Sequence, residues 1–251
     1  MATKTKTVIP QEGFYFDEAK HYYYMNGAKM TGVTTILGII AKPQLIPWAA
    51  RMATEYISEN APKEMVEKEV WTGNYLVNAE TLELARKSHA QKKDKAADIG
   101  TLAHAWIEKW IKADMTEGEK PQTETALAII TDNFLKWVEE AKPKFLESEK
   151  KVYSVPHFYA GTLDFVAEIG GKKYLGDIKT GSGIYKDMFL QTAGYQIALE
   201  EQEPGTNIEG HIIVNPTKDG KLNVEEHFDF EATKEGFLSA LKLYRLFNQQ
   251  L

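Results

Sequence analysis

The chain has 251 residues, of which 43% are hydrophobic and 26% are charged, a composition typical of a soluble globular protein. This length is enough to bury a core as one domain with insertions, or as a domain with a subdomain. The sequence contains no cysteine, which excludes disulfide bonds, zinc–thiolate sites and iron–sulfur clusters. Because neither a signal peptide nor a long apolar run is present, we expect a cytoplasmic protein that does not span a membrane.

The net charge of −6 argues mildly against a nucleic-acid-binding protein, for which a basic face is expected. The basic residues are nevertheless concentrated in two clusters. These are Arg86, Lys87, Lys92, Lys93 and Lys95, and then Lys142, Lys144, Lys150 and Lys151. Each cluster could follow a phosphate backbone, and each could equally be a solvated face of a helix or loop.

The N-terminal part begins with a predicted aromatic hairpin between Phe14 and Met30, in which Asn26-Gly27 forms the turn. Its aromatic side chains could stack on nucleic-acid bases, although packing on one face of a sheet is the simpler explanation. Short helices are predicted after it, and residues 62–95 are expected to be mostly helical, with no catalytic pattern. We therefore interpret residues 1–95 as an N-terminal hairpin and helical elaboration.

Apolar residues recur at helical spacing between residues 99 and 111, and Asp98 or Thr101 is expected to cap the start of this helix. His104 and Glu108 lie four residues apart on the flank of the apolar stripe, so both side chains point the same way. A histidine on a helix flank is ordinarily solvent-facing rather than a metal ligand. On these residues alone, the helix needs no role beyond packing.

A polar loop is predicted at 116–122, followed by an amphipathic helix at 123–141 and a strand at 145–155. Glu149 lies on that strand and is most simply a surface carboxylate. The strand leads directly into the strongest pattern in the sequence.

That pattern is a hairpin in which two alternating apolar runs are joined by Gly170-Gly171. Glycine supplies the positive φ that a two-residue primed turn requires. If Ile169 pairs with Lys172, then Asp164 lies directly opposite Asp177 on one face of the hairpin. The other face carries side chains suited to a core, namely Leu163, Phe165, Ala167, Tyr174 and Ile178.

Two directly opposed carboxylates repel each other, so Asp164 and Asp177 require a neutralising partner. A divalent cation is the simplest candidate, since Mg²⁺ is bound by one or two carboxylates together with waters and substrate phosphates. Lys179 lies two residues beyond Asp177, points to the same face and could reach the same site. The sequence therefore predicts a metal site on this face of the hairpin.

The predicted helix at 184–201 carries Gln191 and Tyr195 four residues apart on one ridge. The remaining elements are predicted as strands at 208–215 and 222–230 and an amphipathic helix at 233–251. The order of helix, three strands, helix and strand predicts an α/β domain with a mixed central sheet flanked by helices.

These residues resemble the signature of the PD-(D/E)XK nuclease superfamily, in its RecB-like and phage-type exonuclease branch. The resemblance rests on an ordered set of motifs, namely Gly161-Thr162-Leu163-Asp164, Asp177-Ile178-Lys179-Thr180-Gly181, and Gln191 with Tyr195. Upstream, Gly100-Thr101-x-x-His104 matches the histidine motif of RecB-like members, and Lys42-Pro43 through Trp48-Ala49 resembles a segment of phage-type exonucleases. The resemblance implies a restriction-endonuclease-like αβββαβ core at residues 96–251.

The activity that the resemblance implies is that of a metal-dependent deoxyribonuclease, an exonuclease in phage or bacterial DNA recombination, repair or processing. Its cofactors would be one or two Mg²⁺ or Mn²⁺ ions. Its partners would be DNA and a recombination or single-strand-binding protein, in the cytoplasm of a bacterial or phage-infected host cell. Some relatives carry an iron–sulfur cluster, which the absence of cysteine excludes here.

The resemblance also implies the residues that bind the metal and act in catalysis. The metal ligands would be His104, Asp164, Asp177 and the backbone carbonyl of Ile178. The catalytic set would be Asp164, Asp177 and Lys179. Lys179 would orient the attacking water and offset charge at the phosphate.

Further residues would assist the site. Gln191 and Tyr195 would contact the nucleic-acid backbone and help to place the lysine. Glu108 and Thr162 are candidates to support the metal ligands.

Two other interpretations remain open. One is a non-catalytic nucleic-acid-binding relative with the same fold, because a fold does not imply an activity. The presence of Asp164, Asp177 and Lys179 argues against it. The other is a metal-free hydrolase, such as a glycosidase, that uses the two carboxylates as nucleophile and acid. In that case Lys179 would have no role.

Overall fold

The structure is a computed structural model that describes residues 9–66, 70–112 and 125–248. The chain divides into two compact units, one made of Met1–Ile40 and Leu102–Leu251 and the other of Ala41–Thr101. Every residue predicted for the site lies in the first unit. The predicted division into two domains, residues 1–95 and 96–251, remains a prediction.

The helices and strands are numbered in chain order. They are β1 (Phe14–Asp17), β2 (Tyr22–Met25), β3 (Ala28–Gly32), α1 (Val33–Leu37), α2 (Leu45–Asn60), β4 (Lys63–Val66), β5 (Val70–Tyr75), α3 (Ala79–Lys112), α4 (Ala126–Ala141), β6 (Lys144–Ser154), β7 (Tyr159–Ile169), β8 (Lys172–Ile178), α5 (Lys186–Gln202), β9 (Gly210–Pro216), β10 (Leu222–His227) and α6 (Phe230–Phe247). None of the helices within these ranges combines the length and the apolar character that a bilayer crossing requires. The predicted polar loop at 116–122 lies outside the described residues.

The first unit is built on one mixed sheet. Its strands lie in the order β1-β2-β3-β7-β8-β9-β10, and β6 also pairs with β7. Strands β7 and β8 are antiparallel, whereas β3 is parallel to β7 and β9 is parallel to β8. The predicted α/β class with a mixed central sheet is therefore confirmed. Elements α4, β6, β7, β8, α5 and β9 supply the predicted αβββαβ order, and the N-terminal hairpin extends the same sheet through β3.

The central hairpin has the predicted register. Ile169 pairs with Lys172, and the following pairs continue in step along β7 and β8. Gly170 and Gly171 have φ angles of +58° and +81°, as a primed two-residue turn requires. Local turn chemistry thus fixes how the two strands that carry the acidic residues face each other.

The described ladder between β7 and β8 ends at Phe165, one pair short of the predicted pair of Asp164 with Asp177. Strand β6 pairs along almost the whole of one edge of β7, so β3 and β8 share the other edge. The β3 ladder ends at Ala160. Residues 161–164 therefore lie between the two ladders, and Asp164 is at an opening in the sheet rather than inside a continuous hairpin.

Helices cover both faces of the sheet. One buried cluster joins α1, α5 and α6 to it, and a second joins the end of α3 and α4. The predicted core residues in the second cluster are Phe165, Ala167, Tyr174 and Ile178. Leu163 packs in the first cluster, so its predicted face is wrong. The strands are irregular at this point, because the ladder of β6 with β7 skips Asp164 and the opposite residue, Glu149, has a φ of +51°.

Helix α3 is longer than predicted. It begins at Ala79, so Asp98 and Thr101 lie inside it and do not cap its start. The Thr101 hydroxyl instead donates a hydrogen bond of 3.0 Å to the carbonyl of Ala97. Residues 79–97 are rich in Ala, Glu, Lys and Gln, which favour a helix and extend it toward the N-terminus.

The second unit contains α2, β4, β5 and the first part of α3. The two strands replace part of the predicted helical segment, because residues such as Val70 and Trp71 favour strands. On α3, Arg86 and Lys87 form ion pairs with Glu83 of the same helix. This part of the first basic cluster is therefore a helix face whose charges are paired.

A buried polar pair joins β9 to α5 in the first unit. His211 is 1% exposed, and its Nε2 lies 2.6 Å from Oε1 of Gln196. Burial, together with the neighbouring His227, lowers the pKa of His211 to about 3, so the ring stays neutral in the folded protein. In the unfolded chain the ring takes up a proton near its ordinary pKa of 6.5.

Acid should therefore destabilise the fold through His211. Because the folded-state pKa is depressed, the stability that neutral His211 contributes is present above pH 6.5 and is lost progressively toward pH 3. We expect this residue to remove about 2 kcal/mol of unfolding free energy between pH 7 and pH 5. Urea unfolding at both pH values measures the loss, and His211→Gln should lose correspondingly less. Equal losses in the two proteins would contradict the prediction.

Candidate metal and active site

Three side chains that can bind a metal ion converge at the opening in the sheet. His104 comes from α3, Glu149 from β6 and Asp164 from β7, and one ligand atom of each lies within 4.8 Å of the other two. The Nδ1 of His104 is 3.5 Å from Oδ2 of Asp164. All three side chains are half-buried. The predicted ligands His104 and Asp164 are therefore brought together.

Glu149 is not the surface carboxylate that the sequence suggests. Its backbone has a φ of +51°, and the pairing of β6 with β7 skips Glu149 and Asp164. A left-handed φ is uncommon for a residue that carries a Cβ, and such an irregularity re-aims the side chain. No local pattern indicates this conformation. Two signals could have identified it: the register of β6 against β7, which sets Glu149 opposite Asp164, and the sequence resemblance, since related sequences often carry a Glu at this position.

Asp164 is held at the opening by a backbone contact. Its Oδ2 accepts a hydrogen bond of 2.6 Å from the N–H of Ile178, the last residue of β8. In a strand, the N–H and C=O of one residue point to the same edge. The Ile178 carbonyl therefore faces the edge on which Asp164 lies. This orientation suits the carbonyl as a metal ligand, a role that remains a prediction.

Asp177 is 1% exposed and has other partners. Its Oδ2 lies 2.5 Å from Nζ of Lys179, and its Oδ1 accepts a hydrogen bond of 2.9 Å from Nε2 of Gln191. The same Nε2 donates to the hydroxyl of Tyr195 at 2.9 Å. Gln191 and Tyr195 are thus brought to the site as supports of Asp177. Their contact with nucleic acid remains a prediction.

The carboxylates give the site an excess of negative charge. Burial, with the nearby Asp164 and Glu108, raises the pKa of Glu149 to about 7. Burial, again with Asp164, raises the pKa of Asp177 to about 6, although Lys179 opposes this shift. Both shifts show that burial and the neighbouring carboxylates disfavour the charged forms of Glu149 and Asp177.

Two cationic side chains offset part of that charge. Burial would lower the pKa of His104, but Asp164 outweighs burial and raises the pKa to about 9. Burial would also lower the pKa of Lys179, but Asp177 and Asp164 raise it above its ordinary value. Asp164 stays charged, since His104 and Lys179 outweigh burial and lower its pKa. His104 must release its proton to bind a metal ion.

The segment after β8 is fixed by a residue that the sequence motifs missed. Asn215 is fully buried, and its Nδ2 donates to the carbonyls of Lys179 at 2.6 Å and Gly181 at 3.1 Å. The N–H of Lys179 donates to the carbonyl of Val214 at 2.9 Å. Asn215 thereby sets where the Lys179 backbone leaves the sheet. In the sequence, the only indication of this role is that Asn215 is a polar residue at the end of an apolar strand.

Thr162 and Glu108 lie near the ligands and make different contacts. The Oγ1 of Thr162 is 3.0 Å from the hydroxyl of Tyr23, which comes from β2. Glu108 forms an ion pair with Lys112 on α3 and raises the pKa of Glu149. The N-terminal hairpin therefore borders the site through Tyr23.

A cavity of about 420 Å³ opens beside the contact of Tyr23 with Thr162. Its lining carries many hydroxyl groups, together with Lys29 and His21. No described lining residue is acidic. Such a lining suits a ligand that carries a phosphate.

Replacing Gly161 with alanine should disrupt the site. A Cβ at this position would lie 2.4 Å from Cε1 of Tyr195, so the ring must move, and with it Gln191 and Asp177. We expect roughly 1–3 kcal/mol of lost stability from overpacking, and a large loss of turnover. Gly183→Ala is the matched control, because a Cβ there meets nothing within 4 Å. Equal activity of the two variants would show that Tyr195 does not support the site.

Comparison with known proteins gives distant similarities. No protein-family model matches the chain, and no curated protein matches it significantly. Matching solved structures include an alkaline exonuclease, LHK-Exo, from Laribacter hongkongensis, at 12% identity and a TM-score of 0.30. That match covers 62% of this chain and 89% of that one. The structure of SSO0001 matches at 15% identity and a TM-score of 0.27.

The SSO0001 match covers 46% of this chain and 57% of that chain, so it spans little more than half of SSO0001. At TM-scores this low, neither similarity bears on what this chain does. The chemistry of the site is therefore taken from its own residues.

Proposed function

We propose that this chain is a metal-dependent nuclease that hydrolyses phosphodiester bonds in DNA. The observation that carries the proposal is the convergence of His104, Glu149 and Asp164 in the same site as the ion pair of Asp177 with Lys179. Hydrolysis of a phosphodiester requires an activated water and stabilisation of the charge that develops on the phosphate. A divalent ion and a fixed ammonium group together supply both.

The donor set fits Mg²⁺ or Mn²⁺. Carboxylate oxygens suit both ions, and the imidazole of His104 is accepted more readily by Mn²⁺ than by Mg²⁺. The raised pKa of Glu149 supports the fit, because burial and the nearby Asp164 and Glu108 disfavour its charged form and a bound cation would favour it. His104, Glu149 and Asp164 would hold the ion, with Asp177 and the Ile178 carbonyl as further predicted ligands. A bound ion would lower the pKa of a water molecule and polarise the phosphate.

Lys179 would stabilise the charge that develops on the phosphate. Its raised pKa keeps the ammonium protonated at neutral pH, so it acts as a hydrogen-bond donor and not as a base. Asp177 holds the ammonium, Gln191 holds Asp177, and Asn215 holds the Lys179 carbonyl. The lysine is thus oriented before a substrate arrives, which is the condition for electrostatic catalysis.

A metal-free hydrolase that uses Asp164 and Asp177 as a carboxylate pair is less well supported. Both oxygens of Asp177 are engaged, by Lys179 and Gln191, and Asp164 faces His104. A carboxylate-pair mechanism also gives no role to Lys179, whose ammonium lies 2.5 Å from Asp177. A non-catalytic DNA-binding protein needs no oriented lysine, and the experiment below separates it from a nuclease.

The finer proposal is an exonuclease. The cavity beside Thr162 could receive the end of a DNA strand, and its lining is free of acidic residues within the described chain. Following the sequence resemblance, we propose a role in DNA recombination, repair or processing in the cytoplasm of a bacterial or phage-infected cell. A recombination or single-strand-binding protein is the proposed partner.

The test uses end-labelled linear DNA and covalently closed circular DNA, each with Mg²⁺, with Mn²⁺ and with a chelator. We expect either ion to support degradation of the linear form alone, and the chelator to stop it. Lys179→Ala serves as the control for contaminating nucleases. Degradation of the circular DNA as well would contradict the proposal of an exonuclease but would still support a nuclease. No metal-dependent loss of either form would overturn the nuclease.

A further inference from the structure

The lysines along β6 differ in whether their charge is paired. Lys144 pairs with Glu168, and Lys150 pairs with Glu147 and Glu203 at 2.8 and 2.6 Å. In contrast, no carboxylate oxygen within the described part of the chain lies within 4.0 Å of the Lys151 ammonium. The Lys151 ammonium therefore has no carboxylate in direct contact, and its charge acts on the nearby Glu149, whose pKa it lowers.

Several contacts fix Lys151 beside the candidate metal site. Its Nζ donates to the carbonyl of Glu149 at 3.2 Å and lies 5.1 Å from the centre of the Phe16 ring. Its backbone pairs with Thr162, and directly paired residues of antiparallel strands share one face. Lys151 is half-buried and lies two residues after Glu149 on β6. Its partner Thr162 lies two residues before Asp164 on β7.

Two hydroxyl groups complete a small polar surface at this position. The Oγ1 of Thr162 and the hydroxyl of Tyr23 are 3.0 Å apart, and the Tyr23 ring lies 4.8 Å from the Phe16 ring. Because Lys151 and Thr162 each lie two residues from a candidate metal ligand, a ligand bound to them would lie next to the metal site. Lys151 is the strand partner of Thr162, and an ammonium together with hydroxyl groups can recognise a backbone phosphate.

We propose that Lys151, with the hydroxyls of Thr162 and Tyr23, binds the phosphate next to the one that is cleaved. This inference rests on the proposed function, because it requires a nucleic-acid strand to lie across Glu149 and Asp164. The contact holds the strand in register with the metal ligands. It also makes the N-terminal hairpin, through Tyr23, part of the substrate site.

The test measures binding separately from turnover. A short fluorescent single-stranded DNA is titrated by anisotropy in Ca²⁺ over a range of salt concentrations. We expect Lys151→Met to weaken binding roughly tenfold and to reduce the slope of log affinity against log salt by about 0.7. Lys151→Arg should retain most of the affinity, and Lys144→Met, the matched control on the same strand, should bind like the wild type.

A substrate with one uncharged methylphosphonate locates the contact. The wild type should lose affinity when the phosphate next to the cleaved one is replaced. Lys151→Met should bind the modified and unmodified DNA equally well, because the substitution and the methylphosphonate remove the same contact. In Mg²⁺, KM should rise in Lys151→Met with little change in kcat. Additive losses, or an unaltered salt slope, would overturn the role of Lys151. Failure of wild type to bind DNA would overturn the proposed function and this inference together.

Discussion

Lys179→Ala should lower DNA hydrolysis by about 10²–10³-fold, the usual effect of removing one charge-stabilising group from an active site. The lost ammonium is the one that lies 2.5 Å from Oδ2 of Asp177. Metal binding should survive, because the clustered ligands His104, Glu149 and Asp164 are unchanged. Turnover of linear DNA and calorimetric titration with Mn²⁺ measure these two effects separately.

The matched control is Lys172→Ala, which removes the lysine at the start of β8, whose ammonium lies over the Phe228 ring. It should keep the turnover of the wild type. Because Lys179→Ala leaves Asp177 buried without its cation, adding Asp177→Asn should restore stability without restoring activity. A Lys179→Ala protein with unaltered turnover would remove this lysine from the proposed chemistry.

Asp164→Asn should weaken Mn²⁺ binding by about 100-fold or more. Loss of a residue that only hydrogen-bonds to a metal ligand typically lowers metal affinity 10–100-fold, and Asp164 is proposed to be a ligand itself. The pKa of His104 should also change in the metal-free protein. Asp164, with a smaller contribution from Asp177, raises that pKa to about 9 against burial, so without the Asp164 carboxylate the pKa should fall well below 9. At pH 7–8 the ring is charged in the wild type, and a larger fraction of it should be neutral in the variant. An NMR titration of the His104 ring measures the shift.

Glu168→Gln provides the matched control for Asp164→Asn. It makes the same chemical change on the same strand, at a carboxylate that pairs with Lys144. Neither Mn²⁺ affinity nor the pKa of His104 should respond to it. If the pKa of His104 stayed near 9 in Asp164→Asn, the ion pair would not be its cause. Wild-type Mn²⁺ affinity in that variant would exclude Asp164 as a ligand.

The central hairpin could be predicted because its causes are local. Gly170 and Gly171 provide the positive φ angles of the turn, and the pairing of Ile169 with Lys172 then sets the register. The order of helices and strands follows from periodicity in the same way. These features were enough to bring Asp164 and Asp177 to neighbouring strands. They were also enough to class the fold as α/β.

The parts that could not be predicted depend on contacts between distant segments. Glu149 joins the ligands through a left-handed backbone where β6 meets β7, and Asn215 fixes Lys179 across 36 residues. Leu163 packs on the face opposite to the predicted one, next to Asp164, which the ladder with β6 skips. Each of these depends on long-range register or on an irregular φ. Neither is encoded in a short run of residue types.

Anomalous diffraction from crystals soaked in Mn²⁺ would locate the ion directly. We expect one strong peak at roughly 2.0–2.3 Å from a ring nitrogen of His104, a carboxylate oxygen of Glu149 and a carboxylate oxygen of Asp164. The same crystals of Asp164→Asn should show a weak peak or none. The proposed metal centre would be contradicted if, at saturating Mn²⁺, no peak appeared beside these three side chains or the ion bound elsewhere in the molecule.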